Sequence, residues 1–271
     1  RETYGLVGSL IAITTIASLL LPAGVASAAS RYIPFHHGRQ DPATARAVLR
    51  FLMRAAGAGS VVLGAGSALG ARAYFNLGVA DTLQVGGLCL AFSVYSVQKS
   101  TLYAFDEVSA YVRLELAASV LAVTGTAVIV FGGSRLYLLP LAGGYALFSV
   151  GAWRRLRPRT RGAGKLVAGR REIVGYVLLA CLGTVSSMGF LQGTQLLANQ
   201  FAARAEVAYF AAAVALVAPA YFLPRALGLV LFPALARSHG AGDLAQVRRH
   251  ADVSTRALVV VLAPVFVAGL L

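Results

Sequence analysis

The stretch from Thr3 to Ser30, which reads TYGLVGSLIAITTIASLLLPAGVASAAS, decides the fold class of this chain. It contains no charged residue, and it is longer than the roughly 20 apolar residues with which a helix crosses the hydrocarbon core of a bilayer. Seven further stretches of the 271-residue chain, between 15 and 31 residues long, are also apolar, and all but one of them are free of charge. The sequence therefore predicts an all-α, polytopic membrane protein.

We name these eight apolar stretches segments A to H. They are Thr3–Ser30 (A), Ala55–Ala71 (B), Thr82–Gln98 (C), Leu116–Ser134 (D), Leu136–Trp153 (E), Ile173–Ala203 (F), Val207–Pro233 with Arg225 inside it (G), and Ala257–Leu271 (H). The composition agrees, since 58% hydrophobic and 13% charged residues with a mean hydropathy of +0.73 exclude an ordinary soluble domain. The glycines between Gly57 and Gly70 in segment B predict close helix contacts.

We expect this sequence to be a piece of a longer polypeptide, because it starts at Arg1 without a methionine and stops inside an apolar run. The small residues from Gly24 to Ser30 also resemble a signal-peptide cleavage site, but no basic region precedes segment A. Cys89 and Cys181 both lie in apolar runs, so we expect neither a disulfide framework nor a cysteine-based metal site. No cofactor is expected.

Basic residues are concentrated in alternate loops. Most of the 24 lysines and arginines lie between A and B, C and D, E and F, and G and H, with the densest cluster from Arg154 to Arg171. The other side carries only Arg1, Arg72, Arg135 and Arg204. Cytoplasmic loops carry an excess of Lys and Arg, so the basic loops are predicted to be cytoplasmic.

The formal net charge of +14 is therefore explained largely by membrane topology. The cluster from Arg154 to Arg171 could also bind anionic lipid headgroups, although we favour a basic connector between two membrane lobes. Nucleic acid is not expected as a partner.

A short motif occurs twice in the chain. His37-Gly38-x-x-Asp41 follows segment A, and His239-Gly240-x-x-Asp243 follows segment G, 202 residues later. Glu2 and Glu206, and also Arg46 and Arg248, recur at nearly the same offset. This spacing predicts two six-helix lobes related as parallel repeats, about 12 helices in all. The predicted parts are an N-terminal lobe (1–153, without its first helix), a cytoplasmic connector (154–172) and a truncated C-terminal lobe (173–271).

Arg225 is the clearest charged residue at membrane depth. It follows Pro224 directly, and Pro219 lies slightly earlier, so segment G is predicted to bend around a cavity. The guanidinium group of such an arginine suits a phosphate-bearing ligand. The alternative is an arginine whose side chain reaches the cytoplasmic headgroups.

Segment F carries a stripe of polar residues. Thr184, Gln192, Gln195 and Asn199 are spaced by close to whole helical turns, so they share one face. This face is predicted either to bind sugar or to make hydrogen bonds between helices. Asp81, Glu115 and Arg54 are expected near helix ends, where charge is unremarkable.

His36 and Asp41 have the spacing of membrane acyltransferases, in which the histidine acts as a base. The second loop argues against this alternative, because His239 and Asp243 are one residue closer together. A third ligand for a metal beside His36 and His37 is not evident. We therefore expect a protein that is not an enzyme and binds no metal.

The stretch Ala205–Ala213, continued by Leu223-Pro224 and Val230–Ala236, resembles the eighth helix of polysaccharide flippases. These are the O-antigen, capsule and teichuronic-type exporters of the multidrug/oligosaccharidyl-lipid/polysaccharide superfamily, and the resemblance implies a role in the synthesis of surface polysaccharide such as lipopolysaccharide. The opening Glu2-Thr3-Tyr4-Gly5-Leu6 resembles the start of the second helix of that family, so the resemblance covers helices two to nine.

The resemblance implies a V-shaped pair of lobes in the bacterial plasma (inner) membrane. It would move an undecaprenyl-pyrophosphate-linked oligosaccharide outward by alternating access, with Arg225 on the pyrophosphate and the segment F stripe on sugar. Expected partners are this substrate, membrane lipids and glycan polymerase machinery, and the protein is expected to be a monomer. Relatives often carry an acidic residue midway along the seventh helix, whereas this chain has Gly193-Thr194-Gln195, so ion coupling there is in doubt.

Two alternatives remain within the same superfamily. A cation-coupled multidrug exporter would expose acidic groups in its cavity, for which Asp81 and Glu115 are the marginal candidates. A peptidoglycan-precursor flippase would differ in substrate alone.

Overall fold

The computed structural model describes residues 2–133, 136–162, 164, 166, 169–189 and 227–270. Over these residues the fold is entirely helical and contains no β-strand. The predicted all-α class is therefore confirmed.

Nine α-helices follow one another along the described residues. They are α1 (Glu2–Leu19), α2 (Leu21–Gly38), α3 (Pro42–Phe75), α4 (Val79–Ala104), α5 (Val108–Phe131), α6 (Leu139–Leu156), α7 (Arg170–Thr184), α8 (227–240) and α9 (Leu244–Leu270). A short 3-10 helix, Arg157–Thr160, follows α6, and a π-helical turn, Val185–Gly189, follows α7.

Segment A was expected to be one helix, but it is broken at Leu20. The axes of α1 and α2 differ by 45° across this residue. Pro22 lies in the first turn of α2, where it supplies no N–H and its ring excludes the carbonyl position of a continuous helix. As a result, α2 extends past the expected loop boundary and includes Arg31, His36 and His37.

Other helices also run beyond the uncharged stretches. α3 begins at Pro42, well before segment B, because Asp41 caps its N-terminus and proline suits the first helical position. Arg54 and Glu115 are consequently interior positions of α3 and α5, not positions near a helix end as expected. Asp81 does lie in the first turn of α4.

Two of the described helices, α3 and α5, are long and apolar enough to cross a membrane, and the bent pair of α1 and α2 can count as a third. The eight spans therefore stay a prediction. The most apolar window of α5 is only 6% buried, compared with 44% for that of α3. Since α5 turns large apolar side chains outward, its outer face suits lipid contact.

The buried core is centred on α2. Val25 and Ile33 of α2 pack with Leu49 of α3, Val97 of α4 and Ile173 of α7 in the largest apolar cluster. A second cluster joins α3 and α4 near Leu138. A third joins α4, α5 and α6 around Phe148. Helix α7 thus packs on helices that come much earlier in the chain.

Close approach of helices depends on a few glycines. A Cβ atom on Gly64 would lie 3.0 Å from the Gly86 carbonyl oxygen, so α3 and α4 are in near-backbone contact there. This confirms the close packing expected for segment B at Gly64, whereas a Cβ atom on Gly57, Gly66 or Gly70 would meet no atom of the described residues within 4 Å. Between α5 and α6 the same role falls to Gly144, where a Cβ would lie 2.7 Å from the Ala118 carbonyl oxygen.

Gly144→Ala is expected to destabilise the protein by about 1–3 kcal/mol, because the added methyl group meets a backbone carbonyl that cannot rotate away. The neighbouring Gly143 faces open space, so Gly143→Ala is the matched control and should be neutral or stabilising. The midpoint of thermal unfolding in detergent measures both. Equal midpoints for the two variants would contradict the close contact.

Candidate functional site

Most residues of the predicted substrate site lie outside the described residues. These are Arg225, Gln192, Gln195 and Asn199. Thr184 is described: it is the last residue of α7, is half-buried, and its hydroxyl donates to the Ala180 carbonyl at 2.8 Å. Whether these five residues form one site therefore stays a prediction.

Two helix irregularities meet next to Thr184. α7 changes into the π-helical turn at Val185, and this turn contacts α1, the helix that ends at the break. The Cys181 thiol donates to the Leu20 carbonyl at 2.8 Å. Leu20 is the N-cap of α2, and an N-cap carbonyl already accepts the first hydrogen bond of its own helix, so the thiol adds a second hydrogen bond at this carbonyl and ties α7 to the break.

Two buried hydroxyl groups lie on α1 in the turns before the break. Thr14 and Ser18 are buried and donate to carbonyls of their own helix, at 3.1 Å to Leu10 and 2.6 Å to Thr15. A hydroxyl that donates in this way keeps lone pairs that can accept a further hydrogen bond. The sequence analysis did not single out these residues, although two hydroxyl residues four apart in an apolar segment were the available signal.

The basic end of α2 is joined to α7 by polar and ring contacts. The Tyr32 hydroxyl donates to Glu172 at 2.9 Å. The Arg31 guanidinium lies 5.2 Å from the centroid of the Tyr32 ring and 4.6 Å from that of Tyr176. The first residues of α7 are therefore held against α2 on two sides.

The repeated H-G-x-x-D motif forms the same turn twice. After α2 the Asp41 N–H donates to the His36 carbonyl, and after α8 the Asp243 N–H donates to the Ser238 carbonyl, both at 3.0 Å. Each aspartate accepts from the backbone N–H three residues later: Thr44 at 3.0 Å and Gln246 at 2.9 Å. The motif is thus a helix–turn–helix connection with an aspartate cap.

This geometry gives Asp41 a structural role. Hydrogen bonds from the Thr44 side chain and backbone hold the pKa of the Asp41 carboxyl below its usual value. The charged cap therefore persists at neutral pH and is lost only as the pH falls through this lowered pKa. His36 Nδ1 is buried without a hydrogen-bond partner, so the His–Asp hydrogen bond of an acyltransferase site is not formed through this atom.

The basic connector lies on the N-terminal helices. Arg50 of α3 donates to three alternate connector carbonyls, those of Thr160, Gly162 and Gly164, at 3.1, 2.6 and 2.5 Å. Arg159 pairs with Glu107 and stacks on Phe105. At least these arginines hold the connector in place, a role that a count of positive charges could not predict.

Glu115 also has a partner. Both of its carboxylate oxygens accept from the Tyr95 hydroxyl, at 2.8 and 3.0 Å, and Lys99 donates to the same hydroxyl at 3.3 Å. Lys99 lies one turn after Tyr95 on α4, which is the one sequence signal for this cluster. A carboxylate bonded in this way is a poor candidate for the open acidic group that a multidrug exporter needs.

Over the described residues, the fold and these contacts define an apolar, helical membrane protein. The family model described as "Polysaccharide biosynthesis protein" matches residues 1–271, and the chain belongs to this family. No curated protein and no solved structure matches the chain. The family predicted from the residues of segments A and G is confirmed at this level.

Arg50→Ala is expected to free the connector, because three bonds from a charged donor are lost, and even one such bond contributes about 1.5 kcal/mol. Trypsin cleavage within 157–165 should rise at least about tenfold, since cleavage follows the population of the open connector. Lysine cannot reproduce the planar donor fork, so Arg50→Lys should be intermediate.

The control is Arg54→Ala, which removes an exposed arginine one turn later on α3. Cleavage is compared in inside-out membrane vesicles. Equal rates for the Arg50→Ala and Arg54→Ala variants would show that Arg50 does not hold the connector.

Proposed function

We propose that this protein moves an undecaprenyl-pyrophosphate-linked oligosaccharide from the cytoplasmic to the outer leaflet of the bacterial plasma membrane. The observation that carries the proposal is the family match over residues 1–271 of an apolar, all-helical chain. Such a protein contributes to polysaccharide synthesis most directly at the step where the glycan crosses the bilayer. Polar sugar cannot cross the hydrocarbon core unaided, so this step needs a protein path.

The proposed substrate site combines an anion-binding group and a polar wall. Arg225 is assigned to the pyrophosphate, since its donor fork pairs with two phosphate oxygens. Gln192, Gln195, Asn199 and Thr184 are assigned to sugar hydroxyls. The contact between the π-helical turn after Thr184 and α1 supports this assignment, because ligand sites in transporters form where membrane helices are broken.

The proposed mechanism is alternating access between two lobes, 1–153 and 173–271, joined by the connector 154–172. The repeated Asp-capped turn supports this division, because its two copies have the same internal hydrogen bonds at a constant offset of 202 residues. We further propose multi-pass insertion with the basic loops in the cytoplasm, function as a monomer, and delivery of the glycan to polymerase machinery.

The proposed function is tested by deleting the full-length gene in its host and analysing undecaprenyl-linked glycans by mass spectrometry. We expect one lipid-linked glycan to accumulate and to be shielded from lectin on intact spheroplasts. The identity of that glycan names the substrate. Unchanged lipid-linked glycans together with altered drug sensitivity would refute the flippase and favour a multidrug exporter.

Arg225→Ala is expected to abolish complementation of this deletion at normal protein level, because a pyrophosphate in a cavity of low dielectric loses its positive partner. Arg225→Lys keeps the charge but not the donor fork, so it should retain part of the activity. Arg54→Ala, at another helical arginine, is the control and should complement fully. Full complementation by the Arg225→Ala variant would remove Arg225 from the substrate site.

A further inference from the structure

The two Asp-capped turns also touch each other, and they do so reciprocally. A Cβ atom on Gly38 would collide with the carbonyl oxygen of Arg237, and a Cβ on Gly240 would collide with that of Phe35. Gly240 is the repeat counterpart of Gly38, and Arg237 is that of Phe35, at the same offset of 202 residues. In each turn, the glycine therefore packs against a backbone carbonyl of the other turn, as in a contact related by a twofold axis.

Among the described residues, a pair of rings and an exposed ion pair lie beside this backbone contact. The Phe35 and His239 rings lie 5.9 Å apart between centroids. Arg237 lies 3.6 Å from Asp106 in the α4–α5 turn, and both side chains are largely open to solvent, at 43% and 73% exposure. An exposed ion pair of this kind contributes little to stability.

No described residue of α8 belongs to the three apolar clusters that hold the other helices together. Among the described residues, the contact between the turns therefore lies outside the apolar clusters whose burial makes a helix pair permanent. The backbones approach so closely that both positions require glycine, yet the described groups beside the contact contribute little binding free energy. A contact with these two properties can form and separate repeatedly without unfolding either half.

We propose that the paired turns, 35–41 and 237–243, are the surface through which the two halves of the protein close the substrate path at its basic end. Separation of the turns opens this end, and their contact seals it. The proposal rests on the proposed alternating-access function, and it assigns the closing surface to these residues. The two glycines are positioning residues, because they allow the backbones to meet.

A reversible cross-link tests the closing surface in the full-length protein. In a background with Cys89→Ala and Cys181→Ser, the substitutions Phe35→Cys and His239→Cys place one thiol on each turn. We expect oxidation or a short thiol-reactive cross-linker to join them in membranes. Export of the glycan should fall in proportion to the cross-linked fraction and return after the link is cleaved.

The matched control joins two rings within the N-terminal half. Tyr103 and Tyr111 lie 4.8 Å apart between centroids on α4 and α5. Tyr103→Cys with Tyr111→Cys should cross-link equally well, and the link should leave export unchanged. Export that persists when the Phe35→Cys and His239→Cys thiols are fully joined would overturn the proposal and leave the proposed function intact.

A second measurement needs no export. Gly38→Leu and Gly240→Leu should each lower the cross-linking yield of the Phe35→Cys and His239→Cys pair severalfold, whereas Gly66→Leu, at a glycine facing open space, should not. An unchanged yield, or a pair that never cross-links, would overturn the contact. Failure of the unmodified gene to restore export in the deletion strain would refute the proposed function instead.

Discussion

A bilayer offers no water to backbone N–H and C=O groups, and the rest of this structure depends on that constraint. It favours helices throughout, and it makes every helix break a place where a partner is needed. At the break after α1, the Cys181 thiol of α7 donates to the Leu20 carbonyl. At the basic ends of α2 and α8, the carboxylates of Asp41 and Asp243 cap the helices that follow. Each of these interruptions is thus paired with a specific side chain.

Helix α2 connects the parts of the molecule. Its apolar residues pack on α3, α4 and α7, while its last turn meets α8 through Gly38. The contacts of α2 with the two helices therefore differ in kind. α7 is held by apolar residues around Ile173, whereas α8 is contacted at Gly38, outside the apolar clusters. Because Tyr32 bonds to Glu172 beside Ile173, both contacts lie at the basic end of α2, and the proposed separation from α8 would leave α7 attached there.

The arginines illustrate how far charge patterns can be interpreted. Their distribution predicts orientation, because translocation responds to the number of positive charges and not to their partners. In the structure, individual arginines have different partners. Arg50 binds connector carbonyls, Arg159 pairs with Glu107, and Arg31 stacks on Tyr32 and Tyr176. A count of charges carries no information about distance in three dimensions, so none of these roles was predictable.

The sequence by itself determined the helical class, the family and the repeated turn. Uncharged stretches longer than a bilayer core permit little other than helices, and an aspartate before a helix caps it locally. Tertiary structure decided the partners of Glu115 and Arg50, and the contacts of Gly38 and Gly240 with the opposite turns. These features join residues that are not neighbours in the chain, for which local propensity and periodicity contain no signal, whereas the break at Leu20 has a local cause in Pro22. The spacing of Thr184, Gln192, Gln195 and Asn199 predicts that they share one helix face, but the helices packed around that face determine what it binds.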